Sequence, residues 1–213
     1  MVACIFDLDG VIVDTARYHF LAWQKLAKEL NVELTSELNE RLKGVGRMES
    51  LNIILELGRL QRSDLEKEAL ATRKNGWFVE FIEAMKKEEI FDGATELFAE
   101  LKAHGVKVAL ASSSKNAQTV LKKLEIGNYF EAIVDGNMIA RSKPDPEIFL
   151  KAAGMLQVNP NECVVVEDAE AGVEAAIRAG MKCVGIGKKE QLHKANLVVN
   201  RIGQLNYQLL NNL

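Results

Sequence analysis

The chain begins MVACIFDLDG (residues 1–10), an apolar run that ends on two carboxylates. Residues 2–6 are the kind of short, continuous apolar run that is typical of a buried parallel strand. Asp7 and Asp9 follow directly, and on an extended chain side chains two residues apart point the same way. Because ligands of open α/β sheets bind beyond the carboxyl ends of the strands, the sequence predicts a functional carboxylate pair at one sheet edge.

Short apolar runs of this kind recur along the rest of the chain and alternate with amphipathic segments. The runs occupy residues 106–111, 132–134, 163–166, 183–186 and 197–199, and the helical patterns occupy residues 94–104, 116–124, 146–156 and 169–179. Strands that alternate with helices favour a parallel sheet covered on both faces. We therefore predict an α/β fold with a doubly wound, Rossmann-like parallel sheet.

Residues 15–90 interrupt this alternation, because they contain helical patterns and no strand run. A helical segment of this length after the first strand predicts an α-helical domain inserted into the sheet domain. The predicted division is a catalytic core of residues 1–14 and 91–213 and a helical cap of residues 15–90. The two chain crossings between core and cap form a natural hinge.

The composition is that of an ordinary globular protein, with 48% hydrophobic and 27% charged residues. A net charge of −3 excludes the bulk basic surface that nucleic-acid binding needs. The three cysteines form no CxxC pair and indicate a reducing compartment. No apolar run approaches the roughly 20 residues of a membrane span, and the first residues lack the basic start of a signal peptide. We expect a cytoplasmic monomer with no nucleic-acid or membrane partner.

The carboxylates Asp7 and Asp9 suit phosphoryl transfer. An Asp carboxylate can attack phosphorus and form an acyl phosphate, while a second carboxylate moves the proton of the leaving or attacking oxygen. A divalent cation would balance the charge of such a pair. The alternative is a polar turn in which Gly10 supplies a positive φ.

Two further segments offer donors for a phosphate. Residues 112–116, Ser-Ser-Ser-Lys-Asn, follow a predicted strand and begin a helix, where hydroxyls and free N–H groups form an anion site. Lys143 precedes a proline-marked helix start and could reach the same phosphate. The alternatives are that Ser114 only caps its helix and that Lys143 is a solvated lysine.

Glu167 and Asp168 follow the strand predicted at residues 163–166 and suit a hard cation such as Mg²⁺. The alternative is that they cap the next helix and pair with its dipole. All four motifs lie at strand–helix junctions of the same hand, so one rim of the sheet gathers them. Together they predict a site for phosphoryl transfer to or from a small molecule.

The motifs DLDG (7–10), SSSKN (112–116), KPDP (143–146) and VVEDAEAG (165–172) resemble, in this order, those of the haloacid dehalogenase superfamily of phosphotransferases. The resemblance covers essentially the whole chain. It implies that Asp7 is the nucleophile, that Asp9 is the general acid/base, and that Ser112 and Lys143 bind phosphate. It also implies a Mg²⁺ site of Asp7, the Asp9 carbonyl and Asp168, with Glu167 beside it.

Four stretches are similar to the β-phosphoglucomutase family within that superfamily: residues 9–15 with 18–20 and Trp23, residues 42–47 with 49–51, residues 73–75, and residues 109–112 with 114–116. The similarity implies that His19 and Lys74 couple cap closure to Asp9. It also implies a set of residues that bind the substrate and its second phosphate: Trp23, Gly44, Val45, Arg47, Ser113, Ser114, Lys115 and Asn116. On its spacing alone, Trp23 is more typical of a helix core.

The expected activity is that of an Mg-dependent isomerase acting on a sugar phosphate. It interconverts β-D-glucose 1-phosphate and D-glucose 6-phosphate through an aspartyl-phosphate enzyme and glucose 1,6-bisphosphate. The alternative is a phosphatase that hydrolyses a small sugar phosphate or similar phosphomonoester at the same two aspartates. Gly46 and Ala169 depart from the family pattern, which commonly has serine at both positions.

Overall fold

The computed structural model describes all 213 residues and has one six-stranded sheet at its centre. Every neighbouring pair of strands is parallel, in the order β3-β2-β1-β4-β5-β6. The strands are β1 (Ala3–Phe6), β2 (Lys107–Ala111), β3 (Ala132–Val134), β4 (Cys163–Glu167), β5 (Lys182–Ile186) and β6 (Leu197–Val199).

Nine α-helices accompany the sheet, five of them between β1 and β2. The helices are α1 (Thr15–Glu29), α2 (Ser36–Asn39), α3 (Arg47–Leu57), α4 (Asp64–Glu83), α5 (Ala94–Ala103), α6 (Ala117–Leu124), α7 (Glu147–Leu156), α8 (Glu170–Arg178) and α9 (Tyr207–Asn211). None of them is both long enough and apolar enough to span a membrane.

Both faces of the sheet are buried, which explains why its strands read as continuous apolar runs. In β1, Cys4 and Phe6 belong to one hydrophobic cluster, whereas Ala3 and Ile5 belong to another on the opposite face. Successive strand side chains point to opposite faces, so a strand between two helical layers needs apolar residues at every position. The prediction of a doubly wound parallel sheet is confirmed.

The inserted cap has a hydrophobic core of its own. Trp23 and Leu26 of α1 pack there with Leu51 and Ile54 of α3. The region after residue 64, for which the sequence allows one or two helices, is the single helix α4. Its start is fixed by a capping box, in which the hydroxyl of Ser63 accepts from the backbone N–H of Glu66 while the Glu66 carboxylate accepts from the Ser63 N–H.

The two chain crossings between core and cap lie side by side. Val13 and Ile90 form an antiparallel bridge, and the N–H of Phe91 donates to the carbonyl of Ile12 at 2.9 Å. The inserted helical cap is therefore joined to the sheet domain by two chain segments that lie next to each other and share hydrogen bonds. The division at residues 14/15 and 90/91 stays a prediction.

Candidate active site

The predicted motif residues converge at the carboxyl edge of the sheet. Because β1 lies between β2 and β4, Asp7 after β1 is flanked by Ser112 after β2 and by Glu167 at the end of β4. Lys143 enters the same place from the loop before α7. The four motifs therefore form one site.

Lys143 is the buried cation of this site, only 1% exposed. Its Nζ lies 2.5 Å from Asp7 Oδ1, donates to Glu167 Oε1, and reaches the carbonyl of Ala111 at 3.3 Å. Burial alone would lower the pKa of Lys143, but the charges of Asp7 and Glu167 raise it above its ordinary value. The alternative of a solvated lysine is wrong, because two carboxylates hold the ammonium charged in the core.

Glu167 is fully buried and uses both of its carboxylate oxygens. Oε1 accepts from Lys143, and Oε2 accepts from the backbone N–H groups of Asp168 and Ala169 at 2.9 Å each. The carboxylate thus also satisfies free donors at the start of α8, as the capping alternative expects. A side chain at Gly172 would overlap this carboxylate, so the glycine leaves the space that Glu167 occupies.

The Asp9 carboxylate lies among polar side chains from both core and cap. Its Oδ1 accepts from the Thr15 hydroxyl, and its Oδ2 accepts from the Ser112 hydroxyl at 3.3 Å. Burial raises the pKa of Asp9, which these hydrogen bonds oppose. A carboxylic acid with a raised pKa that is exposed to a cavity can both give and take a proton near neutral pH.

Lys74, which is buried, pairs with the partly exposed His19 on the cap side of Asp9. Lys74 Nζ lies 2.8 Å from His19 Nδ1, and His19 Nε2 lies 3.9 Å from Asp9 Oδ1. Burial, followed by the charge of Arg47, lowers the pKa of Lys74 to about 7. Burial and the Lys74 charge hold the pKa of His19 well below its ordinary value, so a neutral imidazole accepts from the ammonium.

Trp23 is both a core residue of the cap and a wall of the site. Its ring is 3% exposed and packs in the hydrophobic cluster of the cap, as its helical spacing predicts. Lys74 Nζ lies 4.5 Å from the ring centroid, and Trp23 lines the cavity that contains Asp7. The packing interpretation and the binding interpretation therefore describe the same side chain.

Asp7 and Asp168 are the carboxylates suited to hold a divalent cation. Burial raises the pKa of Asp7 well above its ordinary value, and burial with the Glu167 charge raises that of Asp168 to about 7. A bound cation would favour the charged form of both carboxyls and so lower both pKa values. A side chain at Gly10 (φ 86°) would overlap the Asp168 carboxylate, so the glycine leaves that space open.

No three His, Cys, Asp or Glu side chains lie close enough to bind a metal by themselves. Two carboxylates and the Asp9 carbonyl nevertheless fit a cation that completes its shell with waters and substrate phosphate oxygens, as Mg²⁺ does. Glu167 differs from Asp7 and Asp168, because both of its oxygens already have partners.

A cavity lies between core and cap. Most predicted site residues line it: Asp7, Asp9, His19, Trp23, Gly44, Val45, Arg47, Lys74, Ser113, Ser114, Lys115, Asn116 and Asp168. Ser112, Lys143 and Glu167 lie behind this wall, each at most 1% exposed. Five residues that the sequence patterns gave no committed role also line the cavity: Ala16, Asn39, Leu42, Lys43 and Ser50.

Residues 112–116, here called the serine segment, form hydrogen bonds with one another and with the cap. The Ser112 hydroxyl accepts from the Ser114 N–H at 3.1 Å, and the Ser114 hydroxyl accepts from the Asn116 N–H at 3.2 Å. Asn116 is the residue before α6, and the Ser114 hydroxyl satisfies its N–H, so Ser114 serves the start of this helix while it also lines the cavity. The Ser113 hydroxyl donates to the Gly44 carbonyl at 2.7 Å and fastens the cap to the core.

Arg47 begins α3 and brings an uncompensated positive charge to the cavity. It is partly buried, forms no ion pair, and has its pKa lowered by burial alone. Its Nη2 donates to Asn75 Oδ1 at 2.7 Å, and the same oxygen accepts from Asn116 Nδ2 at 2.8 Å. A desolvated guanidinium without a carboxylate is suited to an anionic ligand.

The two departures from the family pattern both lie where the cap meets the core. A side chain at Gly46 would contact the Ser142 hydroxyl of the core, and one at Gly44 would lie 3.1 Å from the Ala169 methyl group. Gly44 also has a positive φ of 71°. Small residues at these positions let the loop before α3 pack closely against the core.

Comparison with known proteins matches residues 1–180 to the family model for haloacid dehalogenase-like hydrolases. The chain is 45% identical over 212 residues to a β-phosphoglucomutase of Bacillus subtilis, covering 99% of this chain and 94% of the relative. It is 34% identical over 186 residues to a phosphorylated carbohydrates phosphatase of Thermotoga maritima, covering 85% of this chain and 83% of the relative.

A solved structure of β-phosphoglucomutase from Clostridium difficile has the same fold, with a TM-score of 0.96 and 43% identity. The match covers 100% of this chain and 96% of that structure. Since the family model spans most of the chain and the relatives span nearly all of it, the chain belongs to the haloacid dehalogenase-like hydrolase family.

Proposed function

We propose that this chain is a β-phosphoglucomutase, an isomerase that interconverts β-D-glucose 1-phosphate and D-glucose 6-phosphate. The observation that carries the proposal is a second cationic site opposite the first. Arg47 on the cap, without a carboxylate partner, faces the same cavity as Asp7 on the core. A substrate with phosphates at both ends, such as a hexose bisphosphate, fits this pair of sites. The 45% identity to a β-phosphoglucomutase supports the same activity.

In the first half-reaction, Asp7 carries a phosphoryl group and the sugar binds by its own phosphate at Arg47. The C6 hydroxyl attacks the phosphorus, the bond between phosphorus and the Asp7 oxygen breaks, and Asp9 takes the hydroxyl proton. The products are glucose 1,6-bisphosphate and a free Asp7. Lys143, 2.5 Å from Asp7 Oδ1, is placed to stabilise charge on the phosphoryl oxygens.

In the second half-reaction, the bisphosphate binds in the reverse orientation. The Asp7 carboxylate attacks the C1 phosphorus, the bond from phosphorus to the C1 oxygen breaks, and Asp9 returns its proton to that oxygen. Glucose 6-phosphate leaves and Asp7 is phosphorylated again. The raised pKa of Asp9 fits a group that gives and takes one proton in alternate steps.

We propose Mg²⁺ as the cofactor, held by Asp7, the Asp9 carbonyl and Asp168. When bound, it neutralises charge on the phosphoryl oxygens. We assign Glu167 to holding Lys143 and the start of α8, because both of its oxygens are engaged there. Ser112, which donates to Asp9 and accepts from the Ser114 N–H, completes the pocket for the transferring phosphate.

The remaining residues hold the substrate and close the cap. Ser114, Lys115 and Asn116 line the cavity together with Arg47 and share the second phosphate with it. Trp23, Gly44 and Val45 form the wall beside the sugar. His19 and Lys74 lie against Asp9 only while the cap contacts the core, so they link closure to the acid/base.

The competing activity is hydrolysis of a sugar monophosphate at the same aspartates, with water as the acceptor. A closed cap opposes it by excluding water from the aspartyl phosphate. The Ser113 to Gly44 and Asn116 to Asn75 hydrogen bonds provide that closure. A monophosphate hydrolase has no use for a second phosphate site, so Arg47 favours the mutase.

The test supplies the protein with β-glucose 1-phosphate, Mg²⁺ and a trace of glucose 1,6-bisphosphate. Glucose 6-phosphate and inorganic phosphate are both measured, with α-glucose 1-phosphate as the matched control substrate. We expect glucose 6-phosphate from the β anomer in large excess over phosphate. Release of phosphate alone would establish the phosphatase instead.

We further propose that the enzyme acts in the cytoplasm as a monomer on a free sugar phosphate. The three cysteines are buried and unpaired, which fits a reducing compartment. Size-exclusion chromatography with light scattering tests the monomer, and a dimer mass would contradict it.

A further inference from the structure

Asn75 joins three parts of the molecule through a single oxygen atom. Its Oδ1 accepts from Arg47 Nη2 at 2.7 Å and from Asn116 Nδ2 at 2.8 Å. Asn75 lies on α4, Arg47 begins α3, and Asn116 belongs to the core segment before α6. One amide thus fixes the guanidinium of the cap relative to the serine segment of the core.

The sequence at Asn75 and Gly76 does not stabilise the helix that contains it. Asn75 and Gly76 are adjacent in the interior of the 20-residue helix α4, where both residue types are unfavourable. Packing does not explain the glycine, because a side chain at Gly76 would meet no atom within 4 Å. Positions that break local propensity without a packing gain are typical of functional sites.

The amide also leaves the charge of Arg47 available. Asn75 accepts a hydrogen bond from the guanidinium but carries no net charge, and Arg47 forms no ion pair elsewhere. An aspartate at position 75 could accept the same two hydrogen bonds but would neutralise Arg47. It would then compete with the anionic ligand for the guanidinium.

We propose that Asn75 is a positioning residue for the second phosphate of the substrate. It aims Arg47 at the cavity and keeps the guanidinium uncompensated. In the closed state its second hydrogen bond, from Asn116 on the core, fixes both relative to the core. The inference rests on the proposed function, which makes Arg47 the holder of that phosphate. It adds a residue that acts through Arg47 and is not itself a phosphate ligand.

The first test is a double-mutant cycle with Asn75→Ala, Arg47→Ala and the double variant. The readouts are kcat/KM for β-glucose 1-phosphate and its binding measured by titration calorimetry. We expect Asn75→Ala to lower kcat/KM by roughly tenfold or more in the wild-type background, because a hydrogen bond to a charged group is lost. In the Arg47→Ala background, the same substitution should lower kcat/KM by less than about threefold. Equal losses in both backgrounds would overturn the inference.

The second test is Asn75→Asp, which keeps the size of the side chain and both acceptor positions. We expect binding of β-glucose 1-phosphate at least as weak as in Asn75→Ala, because the new carboxylate neutralises Arg47. Wild-type binding in Asn75→Asp would overturn the role of the uncharged amide. Thr72→Ala, at an exposed position one turn earlier on α4, is the matched control for the helix surface.

Thermal melts followed by circular dichroism exclude variants that have lost the fold. Failure of the proposed function is recognised separately, because the wild type would then bind β-glucose 1-phosphate without isomerising it. The calorimetric cycle still measures the coupling of Asn75 to Arg47 in that event.

Discussion

Lys143 of the core and the pair Arg47 and Lys74 of the cap are partnered in opposite ways. In the core, Lys143 is only 1% exposed and is paired with two carboxylates, Asp7 and Glu167. In the cap, Arg47 and Lys74 are buried in part or almost fully and neither forms an ion pair. The cation of the core is thus held in place by carboxylates before any ligand binds. Arg47 and Lys74 of the cap have no such partner, so an anionic ligand can pair with them.

This difference assigns reaction and recognition to separate regions. In the proposed mechanism, the core supplies the nucleophile, the acid/base and the carboxylates for the metal, which a mutase and a phosphatase share. The cap supplies Arg47, the proposed group that distinguishes a substrate with two phosphates. Substitutions in the core should therefore abolish every activity, whereas substitutions in the cap should change which activity remains.

The largest effect is expected from Asp7→Asn. An amide cannot attack phosphorus, so turnover should fall by several orders of magnitude and no aspartyl phosphate should form. Lys143 keeps its contact with Glu167, so the fold should survive. Activity and acid-stable labelling from acetyl phosphate are measured on protein purified free of wild type. Substantial residual turnover would remove Asp7 as the nucleophile.

Next in size is Asp168→Ala, which removes a proposed metal ligand from a second strand. We expect the Mg²⁺ midpoint of activity and the calorimetric Mg²⁺ affinity to weaken together, by roughly 10- to 100-fold. Glu170→Ala removes an exposed carboxylate two residues away and is the matched control for the change of charge. An unchanged midpoint in Asp168→Ala would place the metal elsewhere.

Arg47→Ala separates the two regions. Loss of a desolvated charge pair with the second phosphate should lower mutase kcat/KM by about 2–4 kcal/mol, or roughly 30- to 1,000-fold. Acetyl phosphate is a donor too small to reach the cap, so the rate of its hydrolysis should fall far less than mutase kcat/KM. Equal loss of both activities, with an unchanged melt, would show that Arg47 does not hold the distal phosphate.

The smallest effect concerns the cost of burying Lys74. Its pKa is lowered to about 7, against about 10.4 for an unfolded lysine. The unfolded chain therefore binds more protons between pH 7 and about 10.4, and raising the pH across this window stabilises the fold. Lys74→Met should raise the melting temperature most near pH 6 and least near pH 10.

The matched control for Lys74→Met is Lys25→Met, which removes an exposed lysine that lies over Trp77 in the same cap. Melting temperatures of both variants and of the wild type are compared across the pH range. A gain in Lys74→Met that is constant with pH would contradict a lowered pKa for Lys74.

The fold could be predicted from the sequence because its strands are buried on both faces. Continuous apolar runs then locate β1 to β6 within one or two residues of the observed bounds. The motif residues after those strands follow, since a parallel sheet brings its carboxyl ends to one edge. The sequence allowed one or two helices between residues 65 and 87, and the structure has the single helix α4 there.

The contacts between cap and core could not be predicted, because they join residues far apart in the chain. Asn75 and Asn116 are 41 residues apart, and Ser113 and Gly44 are 69 apart. No periodic pattern encodes such pairs. The similarity of residues 73–75 to the family included Asn75 but gave it no role. The saturation of Glu167 by Lys143 and two backbone donors likewise depends on tertiary structure.

The most direct test of the division between core and cap follows one phosphoryl group. Asp7 is labelled with ³²P from acetyl phosphate, unlabelled β-glucose 1-phosphate is added, and the label is traced in wild type and in Arg47→Ala. The account predicts that wild type transfers the label to glucose bisphosphate and then to glucose 6-phosphate, whereas Arg47→Ala releases it mainly as inorganic phosphate. Release of the label as inorganic phosphate by the wild type would contradict it.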